Sequence, residues 1–151
     1  MTSDDALARF AAAMGDDISR LLLAASRTLN ADALAAIDPD HSSGVRLAHV
    51  PLIAVLDSEG TRLVDLASRM GVTRQAVAAL ARDLEASGHV SINPDPQDHR
   101  AQRVVLTDKG IELCDRAADY LESRERLLRE LHGETTVDEF KALLRDLAKE
   151  V

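Results

Sequence analysis

A chain of 151 residues with 46% hydrophobic and 29% charged residues is long enough for one domain with a real core and too apolar for intrinsic disorder. Its formal charge of -8 excludes a uniformly basic surface, but the sign is unevenly spread: residues 61–110 balance at +1, while residues 1–60 and 111–151 carry -5 and -4. The one cysteine, Cys114, excludes an intramolecular disulfide and a thiolate metal cluster. Aromatic residues are confined to Phe10, Tyr120 and Phe140, so the core must come from Leu, Val, Ile and Ala, a composition suited to packed helices. The first residues lack a basic leader and no apolar run approaches membrane-spanning length, so a soluble, cytoplasmic chain is expected.

Asp4 and Asp5 lead into a helical run, Ala6 to Met14, that Gly15 interrupts. Asp16 and Asp17 open a second run with Ile18, Leu21, Leu22, Ala25 and Leu29 at helical spacing, and acidic residues in a first turn suit the positive helix end. Asp38 to Gly44 reads as a loop. Val45 to Leu56 is expected to be a helix with Pro51 in its first turn, where the missing N–H costs nothing. Thr61-Arg62-Leu63 can add a short strand to a later hairpin.

The stretch from Leu63 to Leu106 organises the rest. Val64 to Met70 makes two helical turns with Leu66, Ala67 and Met70 inward, and Gly71 supplies a tight turn at positive φ. Thr73 is a good N-cap for a helix running through Arg82 to about Ser87. Val77, Leu80 and Leu84 form one stripe of that helix. Gln75, Ala78, Ala79 and Arg82 fall on the opposite side, with Arg74 at the flank. Alanines let a backbone approach a major groove, while Arg and Gln can bond bidentately to guanine and adenine edges. A plain solvated surface helix is the competing reading.

Gly88 ends that helix. His89 to Asn93 and Arg103 to Thr107 are paired strands, and Pro94 to Gln102 is a charged tip, better as a wing than as core. Arg100 can enter a minor groove, attracted by its negative potential, with Asp98 orienting it through an Asp–Arg bond. Beyond Thr107, a long helix carries Ile111, Cys114, Ala117, Ala118, Leu121, Leu128 and Leu131 on one seam as far as Gly133. Thr136-Val137-Asp138-Glu139 has a capping-box pattern, and the last helix carries Phe140, Leu143, Leu144, Leu147 and Val151. These terminal stripes have little to cover them within one subunit, which points to a dimer interface. The expected fold is therefore mainly α with a small β-hairpin wing: a winged helix-turn-helix over residues 45–110, flanked by helical dimerisation segments at 1–44 and 111–151, all in one compact unit.

At the wing the pattern becomes specific. Asp95-Pro96-Gln97-Asp98-His99-Arg100 followed by Leu106-Thr107-Asp108-Lys109-Gly110 resembles the DP-x-D-x-R … LT-x-x-G signature of MarR-type transcriptional regulators. Leu66 to Val77 resembles the same family's reading head, and Asp83 to Gly88 its helix end. The resemblance implies a triangular homodimer with intertwined terminal helices, presenting two recognition helices and two wings to a pseudo-palindromic operator in double-stranded DNA. Half-sites then lie roughly 10 bp apart. It also implies a repressor released by a small, often aromatic or anionic molecule held between the dimer helices and the winged part.

The DNA-contacting residues expected on this reading are Thr73, Arg74, Gln75, Ala78, Arg82, Asp98, His99, Arg100 and Arg103. Relatives often carry arginines just before the wing tip where this chain has Ile92-Asn93, which shifts phosphate contact toward Arg100 and Arg103. Arg46 and His49 are candidates for an effector site, although a buried polar contact is the favoured role of His49. Cys114 on an apolar seam reads as an inert core thiol rather than a redox sensor. His41 and His49 with Asp38 or Asp40 make a poor metal set, and neither a metal nor a cofactor is expected. The alternatives are a winged helix used for protein interaction, or a metal- or redox-responsive regulator. An enzyme is not expected: nothing supplies a nucleophile–base pair or a phosphate loop.

Overall fold

The computed structural model, which describes residues 2–149, has seven α-helices and one three-stranded antiparallel sheet. Helices α1 (Ser3–Gly15) and α2 (Ile18–Ile37) open the chain. A 3-10 turn (Leu47–His49) leads into α3 (Val50–Ala54), then β1 (Thr61–Arg62), α4 (Leu63–Met70) and α5 (Arg74–Ala86). Strands β2 (Val90–Pro94) and β3 (Gln102–Leu106) make the hairpin, and α6 (Asp108–His132) and α7 (Glu134–Lys149) follow. This is the expected class, mainly helical with a small wing sheet.

Local chemistry accounts for most boundaries. The side chains of Thr2, Asp17, Thr73 and Thr107 accept backbone N–H bonds at the starts of α1, α2, α5 and α6, satisfying donors that have no partner inside the helix. Gly71 closes α4 in the left-handed region at φ 64°, as the tight turn requires. Strand β3 is central, with order β1-β3-β2, and Thr61 lies opposite Val104 while Val90 lies opposite Leu106.

The buried cluster joins every layer of the winged part: Leu52 from α3, Leu63 and Leu66 from α4, Val77, Ala81 and Leu84 from α5, Val90 and Val104 from the sheet. Leu113 of α6 belongs to the same cluster, so the long helix is rooted in the winged core. By contrast α1 and α2 contain no buried residue, and Leu7, Phe10, Ile18, Leu131, Phe140 and Leu143 are each more than half exposed.

Several boundaries differ from the sequence reading. Val45 to Leu56 is not one helix. Val45 is buried ahead of the 3-10 turn, where the Arg46 N–H donates to His49 Nδ1 at 3.0 Å, and regular helix begins only at Val50, with Pro51 in its first turn. The capping box at Thr136 does not form, because α7 already starts at Glu134 after a glycine break at Gly133. Arg129 ties that corner, bonding Glu125 and Asp138 at 2.8 Å and also pairing with Glu134. Both strands are set one residue away from expectation, leaving His89 buried just outside β2. On α6 the buried residues are Gly110 and Leu113 rather than Ile111 or Leu121, and the inner stripe of α5 includes Ala81, with Leu80 only half-buried. Val151 lies outside the described residues.

Candidate nucleic-acid interface

Helix α5 presents Thr73, Arg74, Gln75, Ala79 and Arg82 to solvent, while Val77, Ala81 and Leu84 anchor its back; Ala78 is half-buried. On the wing, Asp98, His99 and Arg100 are exposed. The two elements converge. A cleft of about 240 Å³ is lined by Arg62, Leu63, Val64 and Arg74 on one side and by Asp98, Arg100, Ala101 and Gln102 on the other. An adjoining hollow holds Ala78, Arg82, Glu85 and Ile92, and shares Leu63 and Gln102 with the first. Arg74 and Arg100 border the first hollow and Arg82 the second, and both hollows lie between helix and wing.

The cations of this part sort into two groups. Residues 45–110 contain seven arginines and one lysine. Arg46 pairs with Asp83, Arg69 is bidentate on Asp57 at 2.9 and 2.8 Å, and Lys109 donates to the Ser87 carbonyl at 2.7 Å. Arg62 and Arg103 both bond Asp95. Arg74, Arg82 and Arg100 make no side-chain hydrogen bond or ion pair among the described residues. A guanidinium with no internal partner is free to bind a phosphate or a base edge without first losing a bond.

Asp95 is the fixed point of the wing. Its carboxylate is fully buried and accepts from Arg62 Nε and Nη2 at 2.9 and 2.8 Å, from Arg103 Nε at 3.1 Å, and from the backbone N–H groups of Gln97 and Asp98 at 2.9 and 3.1 Å. The Arg62 guanidinium is the main reason its carboxyl sits well below the usual carboxylate range, the loop N–H donors and Arg103 adding to it. A backbone bond from Asp95 N–H to the Ala101 carbonyl at 2.9 Å closes the tip.

Two expectations about the wing are corrected by these bonds. Asp98 does not hold the Arg100 guanidinium; its Oδ1 accepts the Arg100 backbone N–H at 3.0 Å, which shapes the tip and leaves the side chain outward. Arg103 is turned onto Asp95 and the Glu59 carbonyl, the latter at 3.0 Å, because one buried carboxylate draws both nearby cations. Arg62 and Asp95 were missed as site-building residues. The Asp-Pro-x-Asp run carried a hint, since Asp commonly accepts N–H groups of its own turn; nothing local marks Arg62.

The remaining candidates lie behind this face. Arg46 and His49 form the tight turn ahead of α3. His49 is fully buried, its Nε2 is 3.7 Å from Asp83 Oδ2 and has no hydrogen-bond partner among the described residues, and burial first, then Arg46, pushes its pKa down. A separate, mainly apolar cavity of about 330 Å³ opens between α2, α3 and α6, with Leu34, Ile53, Leu113 and Cys114 among its walls; neither Arg46 nor His49 lines it. Burial also raises the Cys114 thiol, leaving it protonated. Asp38 is committed to Ser42 and Ser43, and among the described residues no three His, Cys, Asp or Glu side chains gather as metal ligands. No described helix is long and apolar enough to cross a membrane.

Comparison with known proteins agrees with this geometry. A sequence model described as MarR family matches residues 43–101. The HTH-type transcriptional regulator TtmR of Methylorubrum extorquens (strain PA1) is 32% identical over 102 residues, covering 66% of this chain and 49% of TtmR, so the chain spans about half the length of that curated relative. The transcriptional repressor CouR bound to a 23-mer DNA duplex aligns at 25% identity with a TM-score of 0.73, covering 91% of this chain and 96% of that one. CouR from Rhodococcus jostii RHA1 bound to p-coumaroyl-CoA aligns at 24% identity with a TM-score of 0.68, covering 89% and 94%.

Proposed function

The chain belongs to the MarR family of winged helix-turn-helix regulators, and from that premise we propose that it is a dimeric, sequence-specific DNA-binding repressor released by a small molecule. The observation that carries the reading is the sorting of charge: Arg74, Arg82 and Arg100, unpaired and exposed, border two adjoining hollows between recognition helix and wing, while the other cations of residues 45–110 are held internally. On this proposal α5 enters the major groove, with Thr73, Arg74, Gln75, Ala78 and Arg82 nearest the bases and phosphates. Asp98, His99 and Arg100 reach the minor groove. Arg103 acts from behind, with Arg62, by holding Asp95.

The dimer is proposed from the uncovered apolar faces. Phe10 of α1, Leu131 of α6 and Phe140 and Leu143 of α7 are over half exposed, large apolar side chains that a partner subunit would cover. Residues 1–44 and 111–151 would supply it, and residues 45–110 would read the operator. The effector would occupy the cavity between α2, α3 and α6. It joins the proposed dimerisation helices to the segment ahead of the reading head, and CouR is a repressor with a small-molecule complex. The site of action is then the cytoplasm, where the DNA is.

The test is selection of bound sequences from a random duplex pool, followed by footprinting on the chain's own upstream DNA. An enriched two-half-site motif with protection about one helical turn apart is the expected result. Binding that enriches no motif would overturn the sequence-specific reading.

A further inference from the structure

We propose that the cavity between α2, α3 and α6 takes an uncharged, largely apolar small molecule and discriminates against its carboxylate counterpart. The proposal rests on the effector reading above and sharpens it. At about 330 Å³ the cavity is at the lower end of the range for small-molecule sites, so one bicyclic or similarly compact molecule is the scale of its occupant. Its walls are apolar on every side: Leu34 from α2, Ile53 from α3, Leu113 and Ala117 from α6. Among the described residues lining it there is no Arg, Lys or His, and the polar groups are Asn30 and Cys114.

Neither polar group carries the positive charge that a buried anion needs. The Asn30 Nδ2 donates one N–H to Ser26 Oγ at 3.4 Å, which leaves its other N–H and its carbonyl oxygen as neutral partners for a ligand. The Cys114 thiol is kept protonated by burial and is a weak donor. A carboxylate placed here would lose its water and gain no cation, whereas a neutral ring loses only unfavourable hydration.

The experiment is calorimetric titration of the full-length protein at pH 7.5 with methyl 2-naphthoate and with 2-naphthoate, two probes of one shape and different charge. The ester is expected to bind at least about tenfold more tightly than the carboxylate. Asn30→Arg, which places a cation in the wall, is expected to reverse that order. Ala117→Leu, which fills the space, is expected to abolish ester binding while circular dichroism and melting report an intact fold; Ala33→Leu does the same from the α2 side should the first variant fail to fold. A carboxylate bound as tightly as the ester, with both lost in Ala117→Leu, overturns the ligand class while leaving the cavity as the effector site. Binding indifferent to both filling variants, or no binding of either probe, overturns the site itself and this proposal with it.

Discussion

Arg62 and Arg103 stand directly opposite each other in the β1–β3 register, and the buried carboxylate of Asp95 is bonded to both. Like charges directly opposite across strands are destabilising, so the pair exists only because an anion lies between them. That arrangement ties the wing tip to the strand that runs straight into α4.

Replacing Asp95 with Asn keeps the shape and removes the charge. The two guanidiniums then face each other unneutralised and the tip loses its anchor. Asp95→Asn is expected to lower the melting temperature and to weaken operator binding by about tenfold or more, where tenfold is about 1.4 kcal/mol. Gel-shift titration beside a melting curve measures both; wild-type affinity in a folded Asp95→Asn protein would contradict the anchoring role.

The unpaired arginines should behave differently from the paired ones. Arg74→Ala and Arg100→Ala break no internal bond, so each should leave the melting temperature unchanged. Each should weaken DNA binding by about 1–3 kcal/mol and reduce the salt slope by roughly one. Arg62→Ala should reduce stability and DNA binding together. Affinity measured across a salt series separates the two classes.

Gly110 is needed for close approach. A Cβ built there lies 2.0 Å from the His89 carbonyl oxygen, which also accepts the Thr107 N–H at 3.1 Å. Backbone must move to admit a methyl group. Gly110→Ala is expected to destabilise the protein by about 1–3 kcal/mol, the usual cost of overpacking. Urea unfolding would record it, and a change near zero would show that the α6 start is not fixed on the wing base.

Acid should act in two windows. His49 and His89 have pKa values lowered from 6.5, chiefly by burial, so the unfolded chain takes up their protons more readily than the folded one. Their contribution is full above pH 6.5 and declines as pH falls below it. Asp95, with its folded pKa depressed below 3.8, loses its contribution only at lower pH, as the carboxyl is protonated. Melting temperature is expected to drop between pH 7.5 and 5.5 in the wild type, with a shallower drop in a folded His49→Asn variant; parallel slopes would remove His49 from the account.

The proposed dimer rests on exposed leucines and phenylalanines, and a double substitution tests it. Phe10→Asp with Leu143→Asp, neither buried in the subunit, should give a folded monomer by light scattering. A dimer that persists at micromolar concentration would place the interface elsewhere.

Much of the winged part was legible in the chain because its signals are local. Gly71 at positive φ, the caps at Thr73 and Thr107, and the apolar period of α5 each act within a few residues. The misreadings share a different cause. The Arg103 side chain looked like a spare cation until β3 brought it beside Asp95, and Arg62 reaches Asp95 across 33 positions. The helix expected from Val45 failed because His49 Nδ1 takes the Arg46 N–H, a bond that periodicity does not encode. Thr136 is a sound capping residue, but the glycine break at Gly133 starts α7 at Glu134 and puts Thr136 inside its first turn.

The contact at Gly110 also has a mechanical meaning. With Thr107 bonded to the His89 and Gly88 carbonyls and no room for a side chain between them, the start of α6 and the base of the wing are one solid joint. From that joint α6 extends 25 residues, about 37 Å at 1.5 Å per residue. It is a lever fixed rigidly to the base of the wing. A tilt of roughly 5° moves its far tip by roughly 3 Å, by that same helical length. Small rearrangements between two proposed subunits are thereby geared to the spacing of their wings.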